Sequence, residues 1–122
     1  MTALEDRLWE KSEPFLYIGK DEFLKWLDGW DIQPVEIDSE LSFVTLQKGP
    51  LFHFQSFETR RPISPKLIRA FLQKIIDQYG YAETRTPKAD HRQHRFNQAY
   101  GFKIVGEDGL DTHFRIDRLP HA

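Results

Sequence analysis

Arg95-Phe96-Asn97-Gln98-Ala99-Tyr100-Gly101-Phe102-Lys103-Ile104-Val105-Gly106 spells a helix, its stop and a strand in one continuous run. Phe96 and Tyr100 stand four apart, so they share one face of a helix that the sequence begins at Asp90. Gly101 supplies the left-handed cap that ends it. Phe102–Val105 then reads as a strand, and Glu107-Asp108-Gly109 is the hairpin signal that returns the chain into a last strand, His113–Ile116.

Upstream lies the clearest helix in the chain. Ser64 suits the N-cap and Pro65 the first helical turn, where a missing N–H costs nothing. Ile68, Phe71, Leu72, Ile75, Ile76 and Tyr79 form one apolar stripe, and Gly80 closes the helix as a left-handed cap. Tyr81–Thr84 is the strand between the two helices. Before them come three strand-like runs, Val35–Ile37, Leu41–Gln47 and Leu51–Phe57, with Lys48-Gly49-Pro50 turning the last pair. Leu51–Phe57 carries apolar residues on both alternating faces, which predicts a central strand covered on both sides. Asp21–Trp30 is an amphipathic helix with Phe23, Trp26, Leu27 and Trp30 on its stripe, and Phe15–Ile18 before it reads as a short strand. Residues 1–13 are a short helix or a loose arm.

The order is β-α-β-β-β-α-β-α-β-β in one domain over 1–122. It predicts an α/β (more strictly α+β) fold: a mixed, mostly antiparallel central sheet with helices on both faces. A chain of 122 residues with ten Phe and three Trp has enough apolar mass for one core and too little length for two ordinary domains. It contains no cysteine, which excludes disulfides, thiol catalysis and cysteine metal sites. No apolar run is long enough to span a bilayer, and the acidic N-terminus lacks an apolar signal core, so the expected location is cytoplasmic, away from membranes. Charge is uneven. Residues 1–50 hold eleven acids against five Lys/Arg, whereas residues 51–122 hold eight against twelve. That asymmetry fits either an anion-binding second half or two halves that neutralise each other on packing.

The Arg95–Gly106 segment, the Asp108-Gly109 turn and Thr112-His113-Phe114-Arg115-Ile116 together resemble the closing part of the GCN5-related N-acetyltransferase (GNAT) family. There, an aromatic-bearing helix ends in Gly-Phe and runs into a hairpin. The layout is similar from Val35 to Arg118. The resemblance implies an acetyl-CoA site whose pyrophosphate lies on a loop between the strand Leu51–Phe57 and the Ser64 helix. Backbone N–H groups of a glycine-rich loop hold that pyrophosphate in the family. Here the loop is Thr59-Arg60-Arg61-Pro62-Ile63-Ser64-Pro65-Lys66, without glycine and with two prolines that lack N–H donors. Arg60, Arg61, Ser64 and Lys66 are the residues left to bind the cofactor. The family often carries a Tyr as general acid directly after the Phe of Phe-x-x-x-x-Gly-Phe. Asn97 takes that place, and an amide is no acid. Tyr100 is the nearest phenol and Glu58 the best candidate base, although a surface carboxylate paired with Arg60 or Arg61 is the commoner state of such a residue.

These departures suggest a catalytically degenerate GNAT-like accessory or assembly protein that works through a protein partner or self-association, with no cofactor. In length, closing segment and glycine-free loop the chain resembles small GNAT-like proteins of tailed bacteriophages, some of them associated with head assembly or the virion interior. That would imply phage structural partners and a place in host cytoplasm or virion. The alternative is an active acetyl-CoA-dependent N-acetyltransferase with an atypical phosphate loop. A third reading is an anion- or nucleic-acid-binding module using Arg60, Arg61, Arg85, Lys88, Arg92 and Arg95. A pI near 6.2 and the lack of any nucleic-acid-binding motif argue against it. His91 and His94, three apart, can be drawn into a metal site with His53, His113 or Asp90, but a solvated helix face is by far the commoner state of such a pair, and no metal is expected. Leu8 and Trp9 would suit docking to another subunit if the N-terminal arm is exposed, or folding back onto the same domain.

Overall fold

A computed structural model describes residues 3–16 and 18–120. The chain opens with helix α1 (Ala3–Ser12) and a 3-10 turn over Glu13–Phe15, then α2 (Lys20–Leu27). Three strands follow, β1 (Asp31–Ile37), β2 (Glu40–Lys48) and β3 (Leu51–Ser56). The long helix α3 (Pro65–Tyr79), β4 (Ala82–Pro87), α4 (His91–Ala99), β5 (Lys103–Glu107) and β6 (Asp111–Ile116) complete it. One six-stranded sheet runs in the order β1-β2-β3-β4-β6-β5. Every neighbouring pair is antiparallel except β3 and β4, which the α3 crossover makes parallel.

Period-two alternation sorts the strands' side chains onto two cores. Phe52 of β3, Ala82 of β4, and Phe114 and Ile116 of β6 point into a core with Ile68, Leu72 and Ile75 of α3; Phe96 and Tyr100 from the α4 region pack on it. Val44 and Leu46 of β2 point the other way, onto Phe23 and Leu27 of α2 and Leu8 of α1. Helices therefore cover both faces, α3 and α4 on one and α1 and α2 on the other, and β3 is interior, as its two-sided apolar pattern predicted. The β1–β2 turn holds Asp38 and Ser39 at φ 53° and 66°. That is the geometry of a two-residue hairpin loop whose twist matches the strands. Among the described residues no helix is long and apolar enough to cross a membrane.

One expectation needs correction, and one pair of alternatives is decided. The strand expected over Phe15–Ile18 is absent from the described residues. Pro14 sits in the 3-10 turn, Leu16 is extended but unpaired with the sheet, and Tyr17 lies outside the described residues. A β-rich tetrapeptide with no neighbour to pair with has no reason to become a strand. Of the two readings of the N-terminal residues, the short helix that folds back is the one found, as α1. Leu8 is only 2% exposed, and the Trp9 ring lies 5.4 Å from Phe23, so α1 folds back onto its own domain.

Gly101 carries the helix-to-strand junction that the sequence signals. Its φ is +97°, and a Cβ there would stand 2.9 Å from Cγ of Pro120. Gly101→Ala should cost about 1–2 kcal/mol from the left-handed backbone alone. The check is the chemical-denaturation midpoint; an unchanged midpoint would mean that the junction relaxes.

Candidate functional site

The parallel pair β3–β4 is nearly unzipped. Its ladder has one partnered position, Leu51 with Glu83, where the Glu83 amide donates to the Pro50 carbonyl at 2.9 Å. The flanking antiparallel pairs β2–β3 and β4–β6 each run for six positions. From Phe52 to Ser56 on one side and Thr84 to Pro87 on the other, no further position pairs the two strands, which leaves a seam in the middle of the sheet. On the α3/α4 face, side chains close it. The Phe54 ring stacks on Phe96 of α4 at 5.1 Å and meets Phe43 at 4.8 Å, while Asn97 ties α4 to β4 by donating to the Thr86 hydroxyl at 2.9 Å.

Asn97 is fully buried and also accepts from the Gln93 side chain at 3.1 Å. Its amide is thus spent on docking α4 and points into the core. Tyr100, one turn further on, packs against Phe96 at 4.8 Å. Burial raises its hydroxyl above the usual phenol value, against an opposing pull from Arg69.

Between β3 and α3 the chain crosses the open end of the seam. Phe57 prolongs the β2 pairing, its amide donating to the Ser42 carbonyl at 2.9 Å, and buries its ring with Arg7 stacked above it. The Thr59 hydroxyl donates to the Arg61 carbonyl at 2.6 Å. Arg60 pairs with Glu40 at 2.8 Å through Nε, and Arg61 pairs with Asp38. Both arginines therefore tie the loop to the β1–β2 turn. Glu58 is exposed and pairs with neither, so the expected Glu58–Arg contact does not form. Ser64 takes the N-cap position with extended backbone, but its hydroxyl makes no capping bond; only its carbonyl is used, accepting from the Leu67 amide at 3.2 Å. Lys66 is exposed on the first turn of α3. The six sequence candidates thus divide. Arg60, Arg61, Ser64 and Lys66 line the loop at the seam's open end with Glu58 at its start, whereas Tyr100 is drawn into the α4 packing.

The face of the seam under α2 carries features that the sequence did not single out. His53 of β3 sits against Trp26 at 5.3 Å and Trp30 at 5.1 Å, and the two indoles are 5.0 Å apart. Lys48 lies over the Trp30 ring. Burial, and secondarily the Arg85 charge, lower the His53 pKa to about 4, so the imidazole is neutral at physiological pH. The only advance signal was a histidine between two phenylalanines of the central strand.

The other histidines go separate ways. His94 contacts the Pro87 carbonyl at 3.0 Å, and His113 pairs with Asp108 at 2.9 Å, which holds that carboxyl far below the usual carboxylate range. Among the described residues no cluster of three or more His, Asp or Glu is placed to hold a metal. The basic residues are dispersed too: Lys88 pairs with Glu107, and Arg69 donates to the Pro120 carbonyl.

No family model matches the sequence, and no curated protein does. Solved structures do. The Brucella melitensis ribosomal-protein-alanine N-acetyltransferase superposes with a TM-score of 0.65 at 11% identity, over 95% of this chain and 93% of that one. The Campylobacter jejuni N-acetyltransferase PseH, solved with acetyl coenzyme A, gives 0.63 at 14%, over 97% and 93%. A GNAT family acetyltransferase from Elizabethkingia anophelis with acetyl-CoA bound gives 0.60 at 13%, over 82% and 84%. At these identities the likeness is one of fold: this chain has a GNAT-like fold.

Proposed function

We propose that the chain is an N-acetyltransferase that binds an acyl-CoA thioester at the β3–β4 seam and passes the acyl group to an amine. The observation that carries this reading is the seam itself, a parallel strand pair bridged at one position and open beside the start of α3. Two of the proteins that share the fold were solved with acetyl-CoA, which supports the same ligand class here. The residues present fit it in part. Unpaired strand edges offer backbone donors and acceptors to an amide-bearing arm. Arg60, Arg61 and Lys66 supply the positive charge that phosphates need, through side chains in place of a glycine cradle. To do so, Arg60 and Arg61 must exchange Glu40 and Asp38 for phosphate oxygens.

The bound thioester supplies an activated acyl carbon. The chain's own contribution is mainly position, since holding an amine against that carbon is itself worth several orders of magnitude. In the transfer the amine nitrogen bonds to the acyl carbon, the carbon–sulfur bond breaks, and the amine proton passes to solvent or to Glu58 at the seam's open end. Asn97 gives no acid to the departing sulfur, so that sulfur leaves as thiolate or is protonated by water.

Calorimetric titration with acetyl-CoA tests the reading. Binding in the micromolar range is expected, weakened about 5- to 10-fold in Arg61→Ala, as a lost charge-assisted contact offset by a released ion pair would give. No heat at millimolar ligand would overturn it. A second reading, a scaffold of the same fold that acts through protein contacts, is favoured by the glycine-free loop with Pro62 and Pro65 tied to the β1–β2 turn. It expects silent titrations with both acetyl-CoA and CoA, together with stable self-association or partner association. Turnover of acetyl-CoA on any amine would remove it.

A further inference from the structure

We propose that the α2 face of the seam, where Arg85 stands beside the Trp26–Trp30–His53 rings, receives an amine acceptor that carries a carboxylate next to an apolar or aromatic body. The amine half of this rests on the thioester-transfer reading. The carboxylate half rests on Arg85.

Strand register fixes the surface. Thr84 and Thr86 of β4 are buried under α4, so Glu83 and Arg85 project to the opposite face. Phe52 and Phe54 of β3 likewise point to α3 and α4, so His53 projects the same way as Arg85, from the other bank of the seam. With one face closed by Phe54, Phe96 and Asn97, an acceptor reaching an acyl group held in the seam is left the α2 face, where Trp26 and Arg85 are exposed.

That face has a wall and a charge. The wall is three rings within 5.3 Å of one another, and Trp26 keeps 41% of its surface in solvent, a large apolar exposure beside charged groups. The charge is the exposed guanidinium of Arg85. Arg60, Arg61, Arg115 and Lys88 all have carboxylate partners, whereas the Arg85 side chain makes no hydrogen bond or ion pair among the described residues. A rigid fork of donors without an anion, next to a stacking surface, matches a carboxylate attached to a flat or apolar group. His53 backs the two indoles and adds no second positive charge, since burial keeps it neutral. Asp111 of β6 shares this face and lies within the field of Arg85, so a dipolar amino acid meets both signs.

Tryptophan fluorescence of the whole chain separates the carboxylate from the rest of the ligand without any cofactor. N-acetyl-L-phenylalanine should bind about tenfold more tightly than N-acetyl-2-phenylethylamine, which differs by lacking the carboxylate. Arg85→Met should bring the two within about twofold of each other, and Arg85→Lys should restore part of the gap. Equal binding by the unaltered protein, or a preference that survives Arg85→Met in a variant folded by circular dichroism, would overturn the carboxylate site. With acetyl-CoA present, L-phenylalanine should be acetylated at a lower KM than 2-phenylethylamine, and Arg85→Met should bring the two KM values within about twofold of each other. The two ideas fail separately. A carboxylate preference without acetyl-CoA binding would overturn the acceptor role and the thioester reading. Acetyl-CoA binding without the preference would overturn the carboxylate site alone.

Discussion

Between pH 7 and pH 4 the protein is expected to lose about 2–3 kcal/mol of stability through His53 alone. The imidazole is enclosed by Trp26 and Trp30, and Arg85 stands nearby; burial first and the guanidinium second lower its folded pKa to about 4. In the unfolded chain an ordinary histidine takes its proton near pH 6.5. Below that pH the unfolded state therefore binds more protons than the folded one, and stability falls as pH falls. The loss begins near 6.5, is complete near 4, and is absent above 7. Asp108, held low by His113 and by the Leu110 and Asp111 amides, loses its contribution only in stronger acid and does not cover this window. The measurement is a set of urea unfolding curves at half-unit steps from pH 7 to 4 for the unaltered protein and for His53→Phe, which keeps an aromatic ring in the cluster. The variant should lack the slope between 6.5 and 4. Parallel curves would mean that His53 titrates normally and that the ring cluster is more open than its distances indicate.

Replacing Asn97 by Leu should cost about 2–4 kcal/mol although the two side chains are nearly the same size. The change removes the donor to the Thr86 hydroxyl, which is 2% exposed, and the acceptor for Gln93. A buried hydroxyl left without a partner costs about 1–3 kcal/mol, and the altered packing of α4 on β4 adds to it. Thr86→Val together with Asn97→Leu should recover at least about 1 kcal/mol, because both halves of the bond are then apolar. A double variant no more stable than additivity predicts would show that the pair is not coupled. Asn97→Tyr, which installs the residue that the GNAT resemblance would place there, should destabilise through overpacking and yield no faster acyl transfer, since the position is fully buried against Thr86 and holds α4 on β4.

Most of the architecture was legible because local signals agreed with one another. The α3 stripe, the αL glycines at 80 and 101 and the Asp108-Gly109 turn each name an element, and each is where the pattern puts it, with Gly80 at φ 85° and Gly101 at φ 97°. The Phe15–Ile18 strand failed because strand formation depends on a neighbour, and nothing in four residues says whether one is available. The site was less legible. Arg60 and Arg61 could be listed as phosphate ligands from their place in the chain, but their partners, Glu40 and Asp38, come from a turn some twenty residues away that only the folded sheet brings close. Asn97 could be seen to be no acid; that it is a buried tie to Thr86 follows from the register of β4 under α4. The Arg85–Trp26–His53 surface joins α2, β3 and β4, three elements with no shared motif, so no window of sequence contains it.

The seam between β3 and β4 also has a mechanical meaning. Its backbone ladder stops at the Leu51–Glu83 position, so the two three-stranded halves of the sheet are joined mainly by grease, the Phe52, Phe54, Phe96 and Ile68 side chains beneath α3 and α4. Slipping a strand ladder must break its hydrogen bonds position by position, whereas across this layer the side-chain packing carries nearly all of the contact. The sheet is thus two laddered plates joined by a packed side-chain layer. Any widening of its mouth would fall on that layer and on the single Leu51–Glu83 position, and leave the hydrogen bonds within each plate intact.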